Sequence, residues 1–74
     1  MDDRSRYERV KSRLRVMGEG TVAQVHGSIS EETDAYSERE VKSTLDELVL
    51  NESEEFEKIG ALYRWTKHHR FHSD

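Results

Sequence analysis

The chain has 74 residues and a mass of 8.7 kDa, enough for one domain around a single small core. With 32% apolar residues, 38% charged residues and neither Pro nor Cys, it has no apolar run near the roughly 18 residues of a bilayer span. It also lacks the makings of a disulfide framework or thiolate metal site and an apolar leader, so a cytoplasmic protein without a membrane partner is expected.

A domain this short buries only about 60% of its unfolded surface. A deep catalytic pocket is hard to build on that scale, and a binding module is expected before an enzyme. The net charge is −4, with 12 Lys+Arg against 16 Asp+Glu, and it is unevenly spread. Residues 1–17 carry six basic and three acidic groups, residues 18–57 carry 12 acids against Arg39 and Lys42, and residues 58–74 carry four basic groups against Asp74. Basic ends therefore flank an acidic middle. The plain reading is a solvated, mixed surface. Eight Arg to four Lys, with abundant Glu, is also the composition of a salt-adapted protein.

Tyr7, Val10, Leu14 and Met17 recur at i, i+3, i+7 and i+10 and predict a first amphipathic helix. Asp2 or Asp3 can cap it and Gly18 can stop it. Gly18-Glu19-Gly20 reads as a turn, after which Thr21 caps a short second helix over 22–29, marked by Val22, Val25 and Ile29. Gly27 weakens that helix by about 1 kcal/mol relative to Ala. Residues 30–36 read as a connection, with Tyr36 anchoring it to the core.

Ser37-Glu38-Arg39-Glu40 is a capping box that opens a third helix over 38–49, with Val41, Leu45 and Leu48 on one face. Residues 50–55 connect it to the ambiguous stretch from Phe56 to Thr66. A helix fits Phe56, Ile59 and Tyr63, with Ser53 as its cap. A hairpin fits better, because Gly60-Ala61 suits a two-residue type II′ turn with Gly first. That turn sets Ile59 opposite Leu62, Lys58 opposite Tyr63, Glu57 opposite Arg64 and Phe56 opposite Trp65. An aromatic pair and an ion pair then face each other, each contributing about 0.2–1 kcal/mol. The expected core is Tyr7, Val10, Leu14, Met17, Val22, Val25, Ile29, Val41, Leu45, Leu48, Phe56 and Trp65.

The expected fold class is α+β, mostly helical, with three helices followed by a small β-hairpin in one domain over 1–74. Its ordered part spans about 4–67, and 68–74 form a tail that frays. Three pieces in this order, Thr21-Val-Ala-Gln-Val, Ser37-Glu-Arg-Glu-Val-Lys-Ser-Thr-Leu-Asp-Glu-Leu and Phe56-Glu-Lys-Ile-Gly-Ala-Leu-Tyr-Arg-Trp-Thr, give the chain a family likeness. It resembles the winged helix-turn-helix family of DNA-binding domains over residues 4–67. The resemblance implies that the third helix enters the major groove of double-stranded DNA. Ser37, Glu38, Arg39, Lys42 and Ser43 would then face the bases, with Asp46 next along the face. Arg39 and Lys42 suit guanine O6 and N7, and Glu38 suits cytosine N4. The hairpin becomes the wing, touching the backbone through Lys58, Arg64 and Lys67. A small transcriptional regulator is the implied role.

The other reading is a protein-interaction module that meets a basic partner through the acidic residues 30–57, since fold alone does not fix function. A homodimer through the first helix or the tail is a further expectation, because a core this small benefits from added burial. His68, His69 and His72 have a spacing that can bind zinc or nickel on a helix, but a fraying tail is a poorly preorganised ligand set. No metal or other cofactor is assigned. The sequence contains no Gly-rich phosphate loop, no Gly-x-Ser-x-Gly, no His-Glu-x-x-His and no Cys nucleophile, so no catalytic residue is assigned.

Overall fold

Local capping chemistry sets where two of the helices begin. The Thr21 hydroxyl accepts from the Gln24 amide at 3.3 Å, and the Gln24 carboxamide oxygen accepts from the Thr21 amide at 2.9 Å. Ser37 and Glu40 repeat that reciprocal pair at 3.2 and 2.9 Å. Each box satisfies helix-terminal amides that have no partner inside the helix. The computed structural model of the protein describes residues 3–67. In chain order the elements are α1 (Asp3–Met17), β1 (Glu19–Thr21), α2 (Val22–Ser30), α3 (Glu38–Asn51), β2 (Phe56–Ile59) and β3 (Leu62–Trp65). Of the two caps expected for α1, Asp3 is the first residue of the helix and Asp2 lies outside the described residues, as does the tail with His68, His69 and His72.

The molecule is mostly helical with a small antiparallel sheet, in strand order β1-β3-β2. Three helices followed by a hairpin is the expected order, with one correction. Gly18 is a true stop: its φ is +84°, and its amide donates to the Leu14 carbonyl at 2.8 Å. Glu19–Thr21, however, is not a turn. It is a strand paired antiparallel to β3, with Glu19 opposite Arg64, Gly20 opposite Tyr63 and Thr21 opposite Leu62. Three residues are too few for a periodic signal, and their partners lie more than forty residues further along the chain.

The ambiguous stretch is the hairpin, not a helix. Its pairs are Phe56–Trp65, Glu57–Arg64, Lys58–Tyr63 and Ile59–Leu62. Gly60 has a φ of +63°, whereas Ala61 stays at negative φ. A two-residue turn of this kind fixes the register of both strands. The third helix runs to Asn51, beyond its expected end, because the chain continues helically until the Glu52 amide closes on the Leu48 carbonyl at 2.9 Å.

The core is built from Val10, Leu14, Val25, Ile29, Tyr36, Val41, Leu45, Leu48, Phe56 and Tyr63, with Tyr7, Met17, Val22, Val49 and Trp65 packed around it. Every expected core residue is in one of these sets, and Tyr36 is anchored as its place in the connection suggested. Thr44 is buried among them. Its hydroxyl donates to the Glu40 carbonyl at 2.9 Å and accepts from the Arg6 guanidinium at 2.8 Å, so its burial leaves no unpaired polar atom. Val41, Thr44, Leu45 and Leu48 thus form the inward stripe of α3, which turns Glu38, Arg39, Lys42 and Ser43 outward.

Gly60→Ala places a side chain at a left-handed position and is expected to lower stability by about 1–2 kcal/mol. Urea denaturation checks this, and an unchanged midpoint would mean the turn relaxes at no cost.

Candidate functional site

Three hollows on the surface of the described residues stand out, and charge decides between them. One of about 600 Å³ runs along the outer side of α1 past Ser5, Arg9, Ser12, Arg13 and Glu32. Both of its arginines are paired with Glu32. A second, of about 610 Å³, is walled by Asn51, Glu52, Glu54 and Glu55, with Lys67 at its edge, and repels an anion. The third, of about 420 Å³, lies where the start of α2, the outer side of α3 and the hairpin turn meet. Thr21, Val22, Lys42, Lys58, Gly60 and Tyr63 line it. It brings two of the expected DNA-contacting lysines, Lys42 from α3 and Lys58 from β2, to one place.

The first two turns of α3, of which Lys42 lines that groove, project Glu38, Arg39, Lys42 and Ser43 into solvent. Ser37 is also exposed, but its hydroxyl oxygen is engaged in the α3 cap. Arg39 has no ion pair among the described residues. Lys42 does: its ammonium lies 2.9 Å from Asp46, one helical turn on. Lys58 reaches the same carboxylate at 3.7 Å and lies 5.3 Å from the centre of the Tyr63 ring. The Tyr63 hydroxyl donates to Asp46 Oδ1. A hydrogen bond from Tyr63, followed by Lys42 and Lys58, holds the Asp46 carboxyl below its ordinary range, against partial desolvation. Burial, with Asp46 close by, pushes the Tyr63 phenol far upward.

The rest of the expected wing is less available. Arg64 is bound across the hairpin to Glu57, with its Nε 2.8 Å from the carboxylate. Lys67 is exposed and contributes to the positive field at Glu55. Lys42 and Lys58 thus meet at this groove, with Arg39 exposed one turn earlier on α3, against Glu38 and Asp46, which leaves it nearly neutral. Arg64 and Glu57 pair on the sheet face opposite to Lys58 and Tyr63, and Lys67 belongs to the second hollow.

Among the described side chains, the basic helix α1 does not extend this face with unpaired charge. Arg6 reaches Glu40 at 3.4 Å, Lys11 reaches Glu52 at 3.2 Å, and Arg15 Nε donates to Glu55 at 3.0 Å. Arg9 and Arg13 share Glu32. The basic first segment and the acidic middle read as separate surfaces along the sequence; in space they meet. The sequence reading missed this partnership and the Tyr63–Asp46–Lys42–Lys58 cluster. Only the i, i+4 spacing of Lys42 and Asp46 announces part of it.

His26 is half-buried and donates through Nε2 to the Tyr36 carbonyl at 3.1 Å, tying α2 to the connection before α3. Among the described residues no group of three His, Asp or Glu could hold a metal ion, and no helix is long and apolar enough to cross a membrane.

Three carboxylates tie stability to pH. Glu40 is held below its ordinary value first by the Ser37 amide, and Asp46 first by Tyr63. Burial raises Glu55, but Arg15 and Trp65 outweigh it and the net shift is downward. With folded values depressed, the unfolded chain binds more protons at acid pH. Their contribution is therefore complete above the ordinary carboxyl values of about 4 and is lost as pH falls through the lower folded ones. Thermal melts should give a Tm that is level from about pH 7 to 5 and declines below about pH 4; a Tm that rises on acidification would contradict these assignments.

Comparison with family models, with curated proteins and with solved structures finds no match to this chain.

Proposed function

We propose that the chain is a winged-helix DNA-binding domain, a small transcriptional regulator. In this reading it lays α3 in the major groove and uses the β2–β3 hairpin as its wing. The observation that carries it is the convergence of the α2 start, the outer side of α3 and the hairpin on one groove lined by Lys42 and Lys58, with Arg39 and Ser43 also exposed on α3. The element order and the sheet in which β3 lies between β1 and β2 support it. The core-facing stripe of α3 is rigidly packed, so its opposite side is presented in one orientation, as base readout requires.

Near-neutrality of the face sets the energetic character of this binding. Non-specific affinity comes mostly from phosphate neutralisation, and few cations here lack an acidic neighbour. Discrimination would rest on Arg39, whose guanidinium suits the bidentate acceptor pair of guanine. Backbone contact would come from Lys42 and Lys58, which line the groove; Lys67, placed by the resemblance in the wing, lies instead beside Glu54 and Glu55.

One observation favours a protein partner instead: Leu50 is 80% exposed at the end of α3, on the helix that also carries Glu47. An acidic surface with an apolar anchor suits a basic partner helix. The acidic middle is weaker support than its charge implies, because Glu32, Glu40, Glu52 and Glu55 are already paired with α1.

Selection of bound duplexes from a random pool, followed by titration of the enriched site, tests the DNA reading. Arg39→Ala should weaken binding to the selected site by about 1–3 kcal/mol and relax preference at one base pair. The dependence of log K on log salt should be shallow for the wild type, with a slope no steeper than about −2 for two phosphates neutralised. Enrichment of no sequence, together with co-purification of a basic protein whose binding is lost in Leu50→Asp, would replace DNA with the protein partner.

A further inference from the structure

On the DNA-binding reading above, we infer that Asp46 is the built-in counter-ion of the reading face. It occupies Lys42 and Lys58 in the unbound protein and must yield them to phosphate, which makes it the residue that sets the salt dependence of binding.

The argument starts from what converges on one carboxylate. Lys42 approaches Oδ2 at 2.9 Å from within α3, Lys58 approaches Oδ1 at 3.7 Å from β2, and the Tyr63 hydroxyl donates to Oδ1 from β3. The partners differ in mobility. Tyr63 is 1% exposed and forms part of the core, and α3 is fixed by Val41, Leu45 and Leu48. Asp46 is therefore held in place from both sides. The two ammonium groups sit on flexible four-carbon stems with side chains 57% and 40% exposed. An arriving phosphate cannot displace the carboxylate, but it can draw the lysines away from it.

That exchange has a definite thermodynamic form. A lysine that neutralises a phosphate releases about 0.9 of a condensed cation from the DNA. When the same lysine leaves Asp46, the carboxylate regains its charge beside a polyanion and recruits a cation of its own. Release and uptake partly cancel, so binding is both weaker and less sensitive to salt than the lysine count implies. Such a face forgoes non-specific affinity and leaves selection to Arg39 and the shape of the groove.

Asp46→Asn isolates the effect, since Asn retains an acceptor for the Tyr63 hydroxyl while removing the charge. Wild type and D46N are titrated with a fluorescein-labelled, mixed-sequence DNA duplex between about 0.05 and 0.2 M KCl. D46N is expected to bind about tenfold tighter at the low-salt end, with a slope steeper by up to about 0.9, the one cation that a single freed carboxylate takes up. Adding Lys42→Gln to D46N should return part of that slope. Tyr63→Phe, which loosens the anchor but keeps the charge, should leave the slope of the wild type unchanged; a purely structural role for Asp46 would instead make the two variants alike. Binding by wild type with an unchanged slope in D46N overturns the counter-ion role and leaves the DNA reading intact. A D46N complex that is tighter at the same slope also overturns it, because the gain then comes from repulsion at a distance and not from exchange. Binding by neither protein at any salt removes the DNA reading and the counter-ion role together.

Discussion

The seam between α1 and the acidic middle of the chain is the constraint on which the rest of the architecture depends. A core of ten buried apolar residues can cover only one side of a fifteen-residue helix. The flanks of α1 carry cations that must lie beside something. Arg6 meets Thr44 and Glu40, Tyr7 and Lys11 meet Glu52, and Arg15 meets Glu55, which also accepts from the Trp65 indole at 3.0 Å. Exposed ion pairs contribute little, about 0–1 kcal/mol each. These are partly buried, however, and several share an acceptor with a neutral donor, so the groups form networks whose members support one another. Removing one partner strands another in a half-dry site. Burial, together with Glu52, pushes the Tyr7 phenol up to about 12, a mark of how closely this seam is packed.

The seam also decides what is left for function. Because α1 consumes Glu32, Glu40, Glu52 and Glu55, and those acids consume Arg6, Arg9, Lys11, Arg13 and Arg15 in return, neither the basic segment nor the acidic one is offered whole to a partner. What faces outward is a short set of groups on α3 and the hairpin, of which Arg39 alone stands clear of an ion pair among the described cations of α3, β2 and β3. Recognition on such a surface depends on a few well-placed contacts and on the fixed angle between helix and hairpin. That angle is maintained by Tyr63, whose ring is in the core and whose hydroxyl ends on α3.

Several features were legible from residues alone because their causes are local. Ser37 and Glu40 satisfy each other's backbone amides within one turn, so the start of α3 could be read from four letters. The hairpin register followed from Gly60-Ala61, since a two-residue turn leaves only one pairing. The inward stripe of α3 was readable in Val41, Leu45 and Leu48, though Thr44 was not, because a hydroxyl joins a core only when a partner such as Arg6 is there to meet it. The second capping box had a visible signal in Gln24, three residues after Thr21. Strand β1 had none, as Glu19–Thr21 is extended only because Leu62–Arg64 pairs with it.

The sequence by itself determined the three helices, the starts of α2 and α3, the hairpin and the division of apolar from polar faces, all of which arise from interactions a few residues apart. The tertiary structure alone decided which charges are spent and which are offered. The α1 pairs with α3 and with Glu52 and Glu55 join residues 34 to 45 positions apart, and Tyr63 reaches Asp46 across 17. Coulomb attraction depends on distance in space, and at such separations along the chain only the packed core sets that distance.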